Sequence, residues 1–247
     1  MNINPIFYEN VDGKFILLEN DAIARTLLRG VRWEPHFSVV VNEFVSPGDN
    51  VVDCGANFGY NSVILGKKIT NSGVLISIEP QSLIYKQLIS NLFLNGILNT
   101  KLVNSCIGEE SNQLVRLQRV NYNQDNVNIG NTGIGGDGEL CNVISLDDLC
   151  DVKINFIKID VQGYELFLLK GAKNIISRDK PDLFIEIEDH QLIRFGIHKK
   201  QIIDLLKDHG YKIFNICNEY PFDYICTINN LHKIELLKDK LNLKEIL

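Results

Sequence analysis

Apolar runs alternate with helix-period stretches along most of the chain. Short runs rich in Val, Ile and Leu predict buried strands at residues 51–54, 74–78, 101–107, 154–159, 181–187, 211–216 and 222–228. Apolar residues at helical spacing predict helices at residues 63–68, 83–93, 164–176 and 198–209. Strands that alternate with helices imply parallel pairing through right-handed crossovers. The pattern therefore predicts an α/β fold.

Three segments depart from this alternation and set the domain organisation. Residues 1–46 precede the core domain, which spans residues 47–230, and residues 231–247 form a charged, leucine-rich tail that we expect to be helical. Within the core domain, residues 109–145 form an insertion. Its start alternates like an exposed strand and its middle is rich in Asn and Gly, which predicts a hairpin-bearing loop near the ligand end of the sheet.

The two end segments each allow two interpretations. Residues 1–46 either cover one end of the sheet by packing or form a lid over a ligand, with Glu34 near the polar end of that lid. The tail either packs on its own domain or pairs with a second copy of the chain, so a homo-oligomer stays open.

The candidate chemistry starts at the turn after the first buried strand. Gly55 lets the backbone turn sharply and approach a ligand, and the following helix offers free N–H groups. The dinucleotide fingerprint G-x-G-x-x-G fails, because its places hold Gly55, Asn57 and Tyr60. Asp53 would repel a pyrophosphate, whereas Glu79 can accept hydrogen bonds from ribose hydroxyls. A cationic cofactor without phosphate fits better, and S-adenosylmethionine is such a cofactor.

Polar side chains follow several of the predicted strands at the point where each strand ends. Asp53, Glu79, Ser105 and Asp160 hold these positions. In an open parallel sheet, ligands bind beyond the carboxyl ends of the strands. We therefore expect these four side chains to converge on one crevice.

Composition and charge indicate which kinds of molecule the protein is expected to bind and where in the cell it is expected to lie. The net charge of −6 and the lack of a Lys/Arg-rich stripe argue against a broad grip on nucleic acid. No apolar run approaches the length of a membrane span, and the N-terminus lacks the pattern of a signal peptide. The six cysteines are scattered without a C-x-x-C pair, so we expect buried reduced thiols and a cytoplasmic location.

Three stretches resemble the FkbM-family methyltransferases, a branch of the S-adenosylmethionine-dependent enzymes. They are residues 52–59, residues 78–80, and residues 157–165 followed by 169–172. The resemblance covers about residues 49–190 and implies a Rossmann-like class I methyltransferase, with a mostly parallel seven-stranded sheet and helices on both faces. The chain departs from the family at Gln162, where the family usually has Glu, so the resemblance implies no catalytic role for Gln162.

The resemblance also implies a set of cofactor-binding residues. They are Asp53, Gly55, Asn57, Gly59, Glu79, Pro80, Asn104, Ser105, Ile107 and Asp160. Asp53, Gly55 and Asn57 would line the methionine end of the cofactor. Glu79 would hold the ribose hydroxyls. The adenine would be bordered by Asn104, Ser105 and Ile107. Asp160 would lie beside the methyl group and the acceptor. In the family, the acceptor is mostly a hydroxyl, often on a sugar, a glycolipid or a secondary metabolite.

Methylation of a hydroxyl requires a base or a metal, because a sugar hydroxyl is a poor nucleophile. Asp160 is the first candidate base, followed by Glu186 and His190 near the end of a later strand. A Mg²⁺ ion held by Asp160 and Glu186 is a further hypothesis, although nothing in the spacing requires a metal.

Three functions compete on the sequence alone. The first is an O-methyltransferase for a small-molecule or carbohydrate acceptor. The second is a nucleic-acid methyltransferase on the same fold, which the acidic charge disfavours. The third is a catalytically inactive binding protein that keeps the fold, which the intact Asp53, Glu79 and Asp160 disfavour.

Overall fold

The structure is a computed structural model that describes residues 4–216 and 222–246. The chain first forms a hairpin and two helices: β1 (Pro5–Glu9), β2 (Lys14–Leu18), α1 (Ala22–Leu28) and α2 (Pro35–Phe44). Asp21 caps α1 by accepting a hydrogen bond from the Ala24 amide. Pro35 begins α2 at a position where a missing N–H costs nothing. Both helices bury apolar side chains in the main core, so this segment is part of the domain's packing.

The first half of the predicted alternation follows. Its elements are β3 (Val51–Cys54), α3 (Tyr60–Ile69), β4 (Leu75–Ile78), α4 (Ser82–Leu94) and β5 (Thr100–Val103), with a 3₁₀ turn at Thr70–Ser72. The three strands are parallel neighbours. Their residues are buried on both faces of β3 and β4, as expected of central strands that carry helices on both sides.

The insertion contains a small second sheet, and it divides the strand predicted at residues 101–107. The elements are β6 (Cys106–Ile107), β7 (Gln113–Arg116), β8 (Leu140–Ile144) and α5 (Leu146–Leu149). The predicted hairpin is the antiparallel pair β7–β8, and β6 joins the other edge of β8. The strand divides at Asn104, whose side-chain amide donates to the carbonyl oxygens of Glu79 and Pro80.

The second half completes the main sheet. Its elements are β9 (Phe156–Ile159), α6 (Glu165–Lys170), α7 (Lys173–Asp179), β10 (Asp182–Glu186), α8 (Asp189–Leu192), α9 (Lys199–Asp208), β11 (Lys212–Asn215), β12 (Asp223–Thr227), α10 (Leu231–Leu241) and β13 (Lys244–Glu245), with a 3₁₀ turn at Ile193–Phe195. The single helix predicted at residues 164–176 is wrong, because α6 ends at Gly171. There the backbone is so close to Gly108 that a Cβ would lie 2.0 Å from its carbonyl oxygen.

The main sheet has the order β13-β11-β12-β10-β9-β3-β4-β5. Strands β3, β4, β5, β9 and β10 are parallel, while β12 runs antiparallel to both of its neighbours. The seven predicted strands are present, and the two-residue β13 adds an eighth at the edge. The predicted mostly parallel, Rossmann-like sheet is therefore confirmed.

Apolar clusters cover both faces of the sheet. One cluster joins the N-terminal segment to α3, α4 and α10, and the other packs α6, α7 and α9 on the opposite face. The tail helix α10 packs against α2 and buries Ile234 and Leu237, so the tail packs on its own domain. In the ranges described, every helix is too short or too polar to cross a membrane.

The cysteines are dispersed through these cores. In the described ranges, Cys54, Cys106, Cys141, Cys150 and Cys226 are free and buried. Cys217 lies outside the described residues.

Candidate functional site

A cavity of about 400 Å³ lies at the carboxyl ends of the central strands. Its wall includes the residues that directly follow β3, β4 and β9 and the last residue of β10, at the strand ends where the sequence pattern predicts a ligand site. The predicted residues that line it are Gly55, Asn57, Glu79, Pro80, Ser105, Ile107, Asp160, Glu186 and His190. The structure therefore brings most of the predicted site residues together in one crevice.

The remaining predicted residues do not line the cavity. Asp53 is fully buried in β3, where its carboxylate accepts a hydrogen bond from the Ser62 hydroxyl over 2.6 Å. Gly59 caps α3 with a φ of 93°, and a Cβ there would contact Leu88 at 2.8 Å. Asn104 bonds to the backbone that follows β4. These residues shape the wall but do not form part of its surface.

The turn at Gly55 joins two sides of the cavity. Gly55 has a φ of +76°, and a Cβ at this position would lie 1.8 Å from the carbonyl oxygen of Asp160. Only glycine permits both this φ and this close approach. The turn after β3 therefore contacts the end of β9 directly.

Glu79 follows β4, and two backbone amides hold its carboxylate in one orientation. One oxygen accepts from the Asn57 amide over 2.9 Å and the other from the Gln81 amide over 2.8 Å. Burial raises the pKa of Glu79 to about 7, although both hydrogen bonds act against this shift. Each oxygen keeps lone-pair capacity, so the carboxylate can still accept bonds from ligand hydroxyls.

Lys158 is a site residue that the sequence reasoning missed. Its ammonium donates to the Gly55 carbonyl over 2.9 Å and lies 3.3 Å from an Asp160 oxygen and 3.5 Å from an Asp53 oxygen. Burial lowers the pKa of Lys158, but the nearby carboxylates of Asp160 and Asp53 outweigh it and raise that pKa. The available signal was a lysine inside the apolar run Phe156–Ile159.

Gln162 connects the carboxyl groups of Asp160, after β9, and Glu186, at the end of β10. Its side-chain nitrogen lies 2.6 Å from an Asp160 oxygen and 3.3 Å from a Glu186 oxygen. Its own oxygen accepts from Gln191 over 2.9 Å. Burial, followed by the charges of Asp160 and Asp223, raises the pKa of Glu186 to about 11, so Glu186 is protonated at neutral pH.

The Mg²⁺ hypothesis gains no support from this arrangement. Within residues 4–216 and 222–246, no group of three or more His, Cys, Asp or Glu side chains is arranged to hold a metal ion. The amide nitrogen of Gln162 lies within hydrogen-bonding distance of both Asp160 and Glu186, the two proposed ligands of the ion.

The N-terminal segment also reaches the cavity, through Arg32, Trp33, Glu34, Pro35 and His36. Glu34 has a φ of 42°, and its carboxylate accepts from the Asn61 side chain over 2.8 Å. Burial and the Asp223 charge raise the pKa of Glu34 to about 7. His36 lies 2.6 Å from Asp223 through its Nε2 atom. The sequence pattern gave no sign of the His36–Asp223 pair.

His190 occupies the rim of the cavity. Its side chain is 67% exposed, and its Nδ1 atom lies 3.2 Å from a Glu188 oxygen. The insertion forms the facing wall with residues 128 and 130–134. That wall is attached to the domain because Gln81 donates to the Ile129 carbonyl and Arg194 donates to the Ile134 carbonyl.

Comparison with known proteins identifies the family of this chain and solved structures with a similar fold. Residues 53–213 match the family model described as the methyltransferase FkbM domain. The crystal structure of methyltransferase FkbM from Methylobacillus flagellatus KT is similar, with a TM-score of 0.52 and 23% identity, over 74% of this chain and 44% of that protein. This chain thus spans less than half the length of that protein.

A second solved structure shares the fold at lower identity. It is a SAM-dependent O-methyltransferase from Thermotoga maritima, with a TM-score of 0.50 and 11% identity, over 90% of this chain and 77% of that one. No curated protein sequence matches this chain.

Proposed function

The chain belongs to the FkbM methyltransferase family, and we propose that it is an S-adenosylmethionine-dependent O-methyltransferase that acts on a hydroxyl of a glycan, a glycolipid or a small metabolite. The observation that carries the proposal is the wall of the cavity. Gly55, Glu79 and Asp160 lie in that wall at the ends of β3, β4 and β9 on a methyltransferase fold.

The residues of the wall fit the proposed cofactor. Glu79 would hold the ribose hydroxyls, because its oxygens are fixed by backbone amides and still have lone pairs free. Gly55 and Asn57 would border the methionine end, with Pro80, Ser105 and Ile107 near the base. S-adenosylmethionine, when bound, supplies a methyl group on a cationic sulfonium. The surplus of carboxylates around the cavity favours such a cation.

The acceptor side suits a polyhydroxylated ligand. Carboxylates and side-chain amides from α8, β10 and the insertion give several hydrogen-bond partners, and Trp33 adds an aromatic surface. A nucleic-acid acceptor is disfavoured, because Glu34, Asp160 and Glu188 would face its phosphates. We propose a cytoplasmic location, which the free buried cysteines of the described residues support.

The predicted catalytic residues take different parts in this proposal. Asp160 would accept a hydrogen bond from another hydroxyl of the acceptor, since Lys158 and Gln162 hold its carboxylate in place. Glu186, in its protonated form, would donate a hydrogen bond to the acceptor. His190 would contact the outer part of the acceptor at the rim. Such contacts align the hydroxyl for in-line transfer, and alignment is a large part of catalysis in bimolecular reactions.

Calorimetric titration with S-adenosylmethionine and S-adenosylhomocysteine tests the cofactor site. We expect both ligands to bind the wild-type protein and the affinity to fall at least tenfold in Glu79→Ala. Transfer of labelled methyl groups to hydroxylated sugars and lipids, with RNA as a comparison, then tests the acceptor class. Folded protein that binds neither ligand would overturn the proposal.

A further inference from the structure

His36 lies in a setting that differs from that of every other histidine. Its side chain is 12% exposed and lines the cavity, whereas that of His190 is 67% exposed at the rim. Its ring stacks on Phe184 with centroids 5.9 Å apart and planes at 21°. The Nε2 atom lies 2.6 Å from an Asp223 oxygen. The ring is therefore fixed in one orientation by a buried aromatic ring and a buried carboxylate.

This orientation leaves the second ring nitrogen available. A neutral imidazole that donates from Nε2 to a carboxylate has its lone pair on Nδ1. Across residues 4–216 and 222–246, no hydrogen bond to Nδ1 of His36 is present. A histidine that lines a cavity and is held by a buried carboxylate, with no partner on its second ring nitrogen, has the arrangement of a general base.

Asp223 is suited to hold this ring. It is 3% exposed at the start of β12, and it lies directly opposite Glu186 of β10 in the antiparallel register. Like charges directly opposite each other are unfavourable, so this pairing favours ionisation of only one of the two carboxyl groups, and His36 lies beside Asp223. Burial raises the pKa of Asp223, and His36 acts against this shift.

The other carboxyl groups of the acceptor side have partners of their own, although Oε1 of the buried Glu188 has none. Both Asp160 oxygens have partners, Gln162 and Lys158. Glu186 is protonated, and Glu188 pairs with His190. Burial lowers the pKa of His36, but Asp223 and then Glu34 outweigh it and raise the pKa above its ordinary value.

We infer that His36, oriented by Asp223, is the general base that removes the proton from the acceptor hydroxyl. The inference rests on the proposed O-methyltransferase function. The acceptor O–H bond breaks and its proton moves to Nδ1 of His36. The electron pair of the oxygen forms the new bond to the methyl carbon, and the pair of the broken carbon–sulfur bond stays on sulfur. The imidazolium then returns its proton to water.

A purely structural role for this pair is the competing explanation, because the contact also attaches α2 to β12. The two roles differ in His36→Gln, whose amide can still donate to Asp223 but cannot take up a proton. A structural role predicts a normal rate in this variant. A general base predicts a large loss of rate while the fold and the cofactor affinity stay intact.

The first measurement needs no acceptor. ¹⁵N nuclear magnetic resonance of the imidazole rings, from pH 5 to pH 9, reports which nitrogen carries the proton. We expect neutral His36 to carry its proton on Nε2 and to titrate above the ordinary histidine pKa, and we expect Asp223→Asn to lower that pKa. A proton on Nδ1, or a His36 that does not titrate in this window, would overturn the inference.

The second measurement uses a panel of methyl hexopyranosides with labelled S-adenosylmethionine. We expect His36→Gln to lower kcat by about 10²–10⁴-fold with KM and cofactor affinity within about threefold, and to remove the acid limb of the pH profile. A rate within threefold of wild type, or an acid limb lost in His190→Gln instead, contradicts the inference. If the cofactor binds and His36 titrates as expected but no sugar is methylated, the proposed acceptor class is wrong, and the failure lies in the acceptor rather than in the His36 tautomer that the inference requires.

Discussion

The side-chain nitrogen of Gln162 lies 2.6 Å from Asp160 and 3.3 Å from Glu186, so one amide holds two carboxylates together. In this chain the amide supplies donors that a third carboxylate would lack. Gln162 is therefore a positioning residue for both neighbours.

We expect Gln162→Glu to destabilise the protein by about 1–3 kcal/mol at pH 8 and by less at pH 6. Three adjacent carboxylates raise each other's pKa in the folded state, so the cost appears as the pH rises above their unfolded pKa. Urea unfolding at both pH values measures the effect. Gln162→Ala, which loses the same bonds without adding charge, is the control, and an equal pH dependence in both variants would contradict the prediction.

We expect Gly55→Ala to cost more than about 4 kcal/mol or to prevent folding, because the new Cβ would lie 1.8 Å from the Asp160 carbonyl oxygen. Gly96→Ala is a matched control: its φ is +68°, and nothing lies within 4 Å of its Cβ position. That variant should cost only about 1–2 kcal/mol of backbone strain. Chemical denaturation of both variants gives the comparison, and similar losses would argue against the role of the Asp160 contact.

Removal of Lys158 should destabilise the protein strongly. Lys158→Met leaves the buried Asp53 carboxylate without its cation, and breaking a buried pair in this way costs about 3–5 kcal/mol. The double variant Lys158→Met/Asp53→Asn should recover about 0.5–3 kcal/mol relative to additive losses, because the uncompensated charge is gone. A double-mutant cycle by urea unfolding measures this coupling, and strictly additive losses would exclude it.

The free energy of unfolding should fall as the pH rises from 5 to 8. Burial raises the folded-state pKa of Glu79 from 4.5 to about 7. The folded protein therefore binds a proton more tightly than the unfolded chain, and it loses stability as the pH rises through this window. The Glu79 contribution is on the order of 3 kcal/mol.

Denaturation of Glu79→Gln across the same range should show a flatter profile, with the exposed Glu110→Gln as the control. The raised pKa of His36 also makes the free energy of unfolding fall as the pH rises, because the stability that the positive charge contributes is lost on deprotonation. A wild-type profile that rises from pH 5 to pH 8 would contradict the prediction.

The strands of the main sheet were predictable because each is specified by a short local stretch of the sequence. Each core strand is a short apolar run, and the polar residue that ends it reaches the same edge by the geometry of parallel strands. Glu79 and Asp160 could be assigned to the site for this reason. The division of the third strand at Asn104 was not predictable, because it depends on a side-chain contact with the backbone after another strand.

The rest of the site depends on contacts that are distant in sequence. His36 and Asp223 are 187 residues apart, and no periodicity connects them. The break at Gly171 depends on the backbone of Gly108, which directly follows β6. Lys158 was visible as a charge in an apolar strand, but its partners Asp53 and Gly55 become apparent only when β3 and β9 lie side by side.

Strand β12 runs against its neighbours, so its first residue rather than its last lies at the cavity edge of the sheet. Asp223 therefore joins the site although it follows all the other site residues in the sequence. A nascent chain that has emerged only through β10 carries Gly55, Glu79 and Asp160 but lacks the partner of His36. The proposed cofactor side therefore draws on residues up to β9, whereas the proposed acceptor side also requires β12.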